Sequence, residues 1–250
     1  ILPWLSTRKF LLRQIQGLDY DIKDLGGLNS QAQHLDRRFL NKLTRNEWIT
    51  AAKELKVAIT DEVIDQAIND MPEQIAEING NIIKSKLKAR RDKLEKYADE
   101  YYSILARKVD IVGTEKSDFF TVERINDRET RVVISRVDEE ENPGKLDFER
   151  VFMYPETREI MLYGLDGSDL FKIAGNTEKG IKVHIVGGKG KDETEDESHV
   201  SGIARKTIVY DDTLKTRVVT SNETRKVLSI VPEKYSYNYY AFNYNKFIPL

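Results

Sequence analysis

The chain has 250 residues, 40% hydrophobic and 33% charged, with 14 Gly, 6 Pro and no Cys. That length allows one large domain or two small ones with a real core, and the composition excludes a collagen-like, mucin-like or wholly disordered chain. No run approaches the ~20 apolar residues of a membrane-spanning helix, and a net charge of -2 demands no polyanionic partner. The absence of cysteine excludes disulfides, thiolate catalysis and cysteine-ligated metals. Three histidines argue against a multi-histidine metal centre.

The first half reads as helical. Ser6 to Gly17 carries Phe10, Leu11, Ile15 and Leu18 at helical spacing, with Gly17 as a stop. After a loop, a second helix is expected from about Gln31 to Leu43, burying Leu35, Phe39, Leu40 and Leu43. Thr44-Arg45-Asn46-Glu47 has the form of a capping box, and the helix it opens would bury Trp48, Ala52 and Leu55. Thr60-Asp61-Glu62 starts another helix, with acidic groups at its positive end. From Pro72 to about Lys108 the pattern is that of one long helix with a weak point at Asn79-Gly80. Its basic run KSKLKARRDKLEK lacks interleaved aromatic platforms, so a solvated outer face is expected rather than nucleic-acid binding.

Near Val109 the period changes from helical to alternating. Phe119–Val122, Arg131–Ile134 and Val151–Tyr154 are short β-branched and aromatic runs separated by turns, with an acidic hairpin loop over Asp138–Gly144. Leu162–Ile173 (LYGLDGSDLFKI) and Ile185–Asp196 (IVGGKGKDETED) repeat strand, glycine turn and aspartate in the same order. A looser copy lies at Ile208–Val219. A constant spacing of this kind predicts a short solenoid-like stack around 157–220, with Ile181, Val183 and Ile185 turned inward and His184 outward as a solvated residue. The terminus Tyr235–Leu250 is dense in aromatic groups and reads as an arm packing on the body. Ile1 in place of a starting Met and this aromatic end together suggest a fragment of a longer polypeptide.

Two features bear on chemistry. Gly187–Asp192 fits the opening of the calcium-binding nonapeptide G-G-x-G-x-D-x-U-x, and Gly164–Phe171 fits its latter part. Asp166, Asp169 and Asp192 are therefore the candidate Ca2+ ligands. Leu165 stands where that pattern has a glycine and Thr194 where it has a large apolar residue, so purely structural turns are the other reading. His34, Asp36, Arg37 and Arg38 form a polar cluster that could clamp an anion, although capping and ion pairing explain it as well. No P-loop, G-x-S-x-G or H-E-x-x-H motif is present.

Several separated segments, PWLSTRKFLLRQI, DLGGLNSQAQHLDRRFLNKLTRNEW, TDEVIDQAI, KLKARRDKLEKYADEYY and EIMLYGLDGSDLF with IKVHIVGGKGKDE, resemble in order a stretch of long Bacteroidetes proteins. Those are calcineurin-like metallophosphoesterases with a C-terminal outer-membrane, surface-antigen-type β-barrel. None of the D-x-H, G-D-x-x-D or G-N-H metal motifs of such phosphoesterases occurs here, so no catalytic residue carries over. The resemblance implies a non-catalytic linking or interaction module on the periplasmic or cell-surface side of the outer membrane. Its implied partners are the flanking domains of a longer chain and a protein partner; the charge pattern of the residues themselves argues against nucleic acid.

The expected fold is α+β: a helical part over 1–110, a β part with the glycine-aspartate turns and a β-helix- or β-roll-like stack over 111–232, and an aromatic arm or linker over 233–250. Two alternatives stay open from the residues: a weak calcium-binding β-solenoid module, and a phosphoesterase or carbohydrate-active enzyme fragment whose site is not legible.

Overall fold

The computed structural model describes residues 13–137, 143–202, 205–212, 217–220, 224–229 and 237. The chain is mixed α and β and divides into two compact units, one of residues 1–34 and 43–105, the other of residues 35–42 and 106–250.

The helical unit contains α3 (Arg45–Ala58), α4 (Asp61–Asn69), α5 (Glu73–Arg91) and α6 (Leu94–Ala106, whose last residue belongs to the other unit), preceded by the short α1 (Leu25–Leu28). α2 (Gln33–Phe39) begins in this unit and ends in the other. The capping box of α3 is present: the Glu47 amide donates to Thr44 Oγ1 and the Thr44 amide donates to Glu47 Oε2 at 2.7 Å. Thr60 caps α4 in the same way through the Val63 amide.

The long helical stretch is interrupted at Asp92-Lys93, not at Asn79-Gly80. Gly80 lies buried inside α5 because a Cβ there would meet Ile68 Cγ2 of α4 at 3.0 Å. The glycine permits α4 and α5 to pack closely, at a helical cost of about 1 kcal/mol relative to alanine. The helix expected from Ser6 falls mostly outside the described residues, and 13–17 are not helical. α2 is shorter than expected, and Leu35 and Phe39 are exposed rather than buried.

The β unit begins at β1 (Lys108–Val112), one residue from the expected change of period. Its first sheet is five-stranded and wholly parallel, in the order β1, β5 (Glu159–Asp166), β8 (Lys182–Lys189), β11 (Thr207–Asp212), β13 (Thr224–Ser229). The second has the order β12 (Arg217–Thr220), β9 (Glu193–Asp196), β6 (Leu170–Ala174), β2 (Asp118–Arg124), β3 (Glu129–Val137), β4 (Pro143–Met153). It is parallel from β12 to β2 and antiparallel across the β3–β4 hairpin. Residues 138–142 of the expected acidic loop lie outside the described ones. A two-residue parallel pair, β7 (Asn176–Thr177) with β10 (His199–Val200), makes a third small sheet.

The registers carry the spacing read from the sequence. Glu159 pairs with Lys182, Leu170 with Glu193 and Asn176 with His199, each 23 residues on. The looser third copy follows at 24, with Val183 opposite Thr207 and Glu193 opposite Arg217. Inward residues from both large sheets form one cluster, including Ile111, Phe120, Val132, Phe152, Leu162, Phe171, Ile185 and Val209. Phe120 and Phe171, opposite each other in register, stack at 4.5 Å.

Candidate functional site

The residues marked by the sequence meet at the corner between the two large sheets. Three segments have a glycine near the end of a first-sheet strand and an aspartate five positions later: Gly113 and Asp118, Gly164 and Asp169, Gly187 and Asp192. The Asp118 amide donates to Asp169 Oδ1 at 2.8 Å, and the Asp169 amide donates to Asp192 Oδ1 at 2.9 Å. Asp118 in turn accepts from the Thr114 amide. Each carboxylate thus satisfies a backbone amide, two of them on the neighbouring segment.

All three aspartates are buried, and burial pushes the Asp118 carboxyl up from its ordinary value. The glycines make this corner possible. A Cβ on Gly164 would stand 2.1 Å from Asp169 Oδ2 and 2.4 Å from the Gly187 carbonyl. One segment departs from the glycine pattern: Leu165, which pairs with Gly188, has φ 82° and is the one non-glycine residue with positive φ among those described. Leucine in this region is strained by about 1–2 kcal/mol.

Of the three candidate calcium ligands, the structure brings Asp169 and Asp192 together and leaves Asp166 exposed at the end of β5, opposite Lys189. The third member of the column is Asp118, which the sequence reading missed. Its signal was present as IVGTEKSD, which matches LYGLDGSD in position but lies 51 residues before it. The β3–β4 hairpin lies between the two segments and hides the repeat. Among the described residues no group of three or more His, Asp or Glu is placed to hold a metal ion.

A second buried polar cluster lies at the other end of β2. Arg124, 2% exposed, donates to the Ile181 carbonyl at 2.8 Å and reaches Ser198 Oγ and Thr207 Oγ1. Ser198 Oγ donates to Asp196 Oδ1 at 2.6 Å, and Thr224 Oγ1 donates to Asp196 Oδ2 at 2.7 Å. The serine thereby links a buried guanidinium to a buried carboxylate, so neither charge sits in an apolar site without partners. Alternation could have revealed Arg124, since it shares the inward phase of Phe120 and Val122.

His184 departs from expectation. It is buried, with its ring stacked on Tyr210 at 5.8 Å and Nδ1 at 3.3 Å from the tyrosine oxygen. The outward face of this sheet is covered here, as buried Val186 and Ile208 also show. Burial holds the imidazole pKa below its ordinary value, and Glu159, 3.9 Å from Nε2, opposes that only in part.

The basic run of α5 is not a free solvated face. Lys88 and Arg91 bind Asp61, Lys84 binds Asp65, and Arg90 and Lys86 donate to the carbonyls of Asp19 and Leu18. From the His34–Arg38 cluster, Arg37 donates to the Lys108 carbonyl. Tyr237, the described residue of the aromatic terminus, packs edge-on against Tyr163 at 5.0 Å. No protein-family model, curated protein or solved structure matches the chain.

Proposed function

We propose that this chain is a non-catalytic linking and interaction module of a longer, outer-membrane-associated metallophosphoesterase-like protein, on the periplasmic side. In this reading the β unit is a short solenoid-like stack that holds flanking domains, or a protein partner, at a fixed spacing. The observation that carries it is the aspartate column: parallel strands repeat at 23 residues, and the side chains with most chemical potential, Asp169 and Asp192, bond backbone amides between coils. Such corners stiffen a stack. Internal pairing of the α5 lysines and arginines supports a protein partner over nucleic acid. The outer-membrane context rests on the sequence resemblance.

Two measurements test this. The purified chain should release no product from generic phosphoesters with Mn, Zn or Mg above a buffer blank, and turnover there would overturn the non-catalytic reading. The resemblance also requires a phosphoesterase domain and a barrel encoded on either side of this segment in its gene, which sequencing of the flanks checks directly.

A further inference from the structure

β1 is the outermost strand of the first sheet among the described residues, paired on one side with β5. An exposed parallel edge offers a row of backbone groups to any other strand. Here that edge is met by a short segment, residues 35–42, which belongs to the β unit although it lies before most of the helical unit in sequence. Arg37 donates a guanidinium hydrogen bond to the Lys108 carbonyl, and Asn41 Nδ2 donates to the Asp110 carbonyl at 2.8 Å. These two carbonyls, alternate along β1, point away from β5.

The same segment reaches the edge of the second sheet. Lys42 Nζ donates to the Asp147 carbonyl of β4 at 2.7 Å, and Arg150 of β4 donates to the Asn41 carbonyl. β4 is the outermost strand of that sheet among the described residues. This eight-residue segment thus bonds to edge strands of both sheets through Arg37, Asn41 and Lys42, and on β1 the Arg37 and Asn41 side chains occupy carbonyls that a pairing strand would need.

We infer that residues 35–42 are an edge cap that prevents the β unit from recruiting the β1 edge of a second copy of this chain. The occupant is a second copy because the blocked groups are backbone carbonyls, which carry no side-chain specificity, and because identical edges are always present at equal concentration. The inference goes beyond the linking role and holds whether or not that role does.

The test is self-association of the full chain. Arg37→Ala/Asn41→Ala removes both side-chain bonds to β1, and Asn41→Ala alone is a milder change should the double variant not fold. Sedimentation velocity over a concentration series should show the variant's average mass at least doubling over wild type, with far-UV ellipticity unchanged. Adding Asp110→Pro, which deletes an edge-facing amide, should return the mass to the wild-type value. A core variant, Val132→Ala, serves as the control for simple destabilisation. Wild-type mass in both folded cap variants would overturn the inference, as would equal association of the core variant or failure of the proline to reverse it.

Discussion

In the helical unit the buried apolar residues are few: Leu25, Ala52, Ile64 and, on α6, Tyr97, Tyr101, Tyr102 and Leu105. Among the described residues the β unit instead holds one cluster of sixteen buried apolar side chains, drawn mostly from the two large sheets. The helical unit is cross-linked at its surface. Lys88 and Arg91 meet at Asp61, Arg45 pairs with Asp99, Lys56 with Glu95, and Tyr97 with Asp21 while Lys93 binds the same carboxylate. Exposed pairs contribute roughly 0–1 kcal/mol each and are screened by salt, whereas buried aromatic and aliphatic groups contribute roughly 1.5–3 kcal/mol each. The β unit therefore draws more of its stability from buried packing than the helical unit does.

The largest test of that contrast is Phe120→Ala. Phe120 is fully buried and stacked on Phe171, so its truncation should destabilise the β unit by about 3–5 kcal/mol. Denaturant titration should show the β transition moving while the helical ellipticity keeps its midpoint. A shared shift of both would break the comparison.

Asp169→Ala should cost about 1–3 kcal/mol, because the Asp118 amide loses its acceptor inside the corner. Asp169→Asn keeps an acceptor oxygen and should cost less. Equal losses, or none, in equilibrium unfolding would show that the column does not hold these segments together. Leu165→Gly should act in the opposite sense and stabilise by about 0.5–1 kcal/mol. It releases a left-handed leucine, partly offset by the greater unfolded-state freedom of glycine. A lower melting point in that variant would contradict the strain.

The units should also part on acidification. Asp61, held at about 2 by hydrogen bonds from Lys88 and then Arg91, stabilises the helical unit above its ordinary carboxylate pKa, and that contribution is lost as pH falls from about 4 through 2. His184, lowered by burial below its ordinary 6.5, stabilises the β unit above pH 6.5, and this is lost as pH falls toward its folded value. Glu159, Lys182, Lys108 and Tyr210 are the charged and titratable groups around it. Asp118, raised by burial, works the other way in the carboxylate range. The β unit should begin to lose stability near pH 6.5, before the helical unit, and His184→Gln should remove that early slope in melts across pH. The smallest expected effect is that of calcium. If the glycine-aspartate corners serve structure alone, ten-millimolar-range calcium leaves the melting midpoint where a chelator leaves it, whereas a site of the ~10⁻⁴–10⁻³ M class would raise it.

What the sequence determined by itself was local. Thr44 and Glu47 specify a helix start through bonds within four residues, Thr60 does the same for α4, and alternation near Val109 announces strands. The 23-residue spacing was legible because the segments repeat the same turn chemistry. Tertiary structure decided the rest. Gly80 reads as a breaker until Ile68 is seen to need its missing side chain. Asp118 joins Asp169 and Asp192 only when the hairpin folds out of the way of the repeat. His184 has the phase of an outward residue, yet neighbouring Tyr210 and Ile208 bury it. Residues 35–42 look like the tail of a helix and cap a sheet. Caps and alternation follow from a chain's nearest bonds, but what covers a face depends on segments far away in sequence.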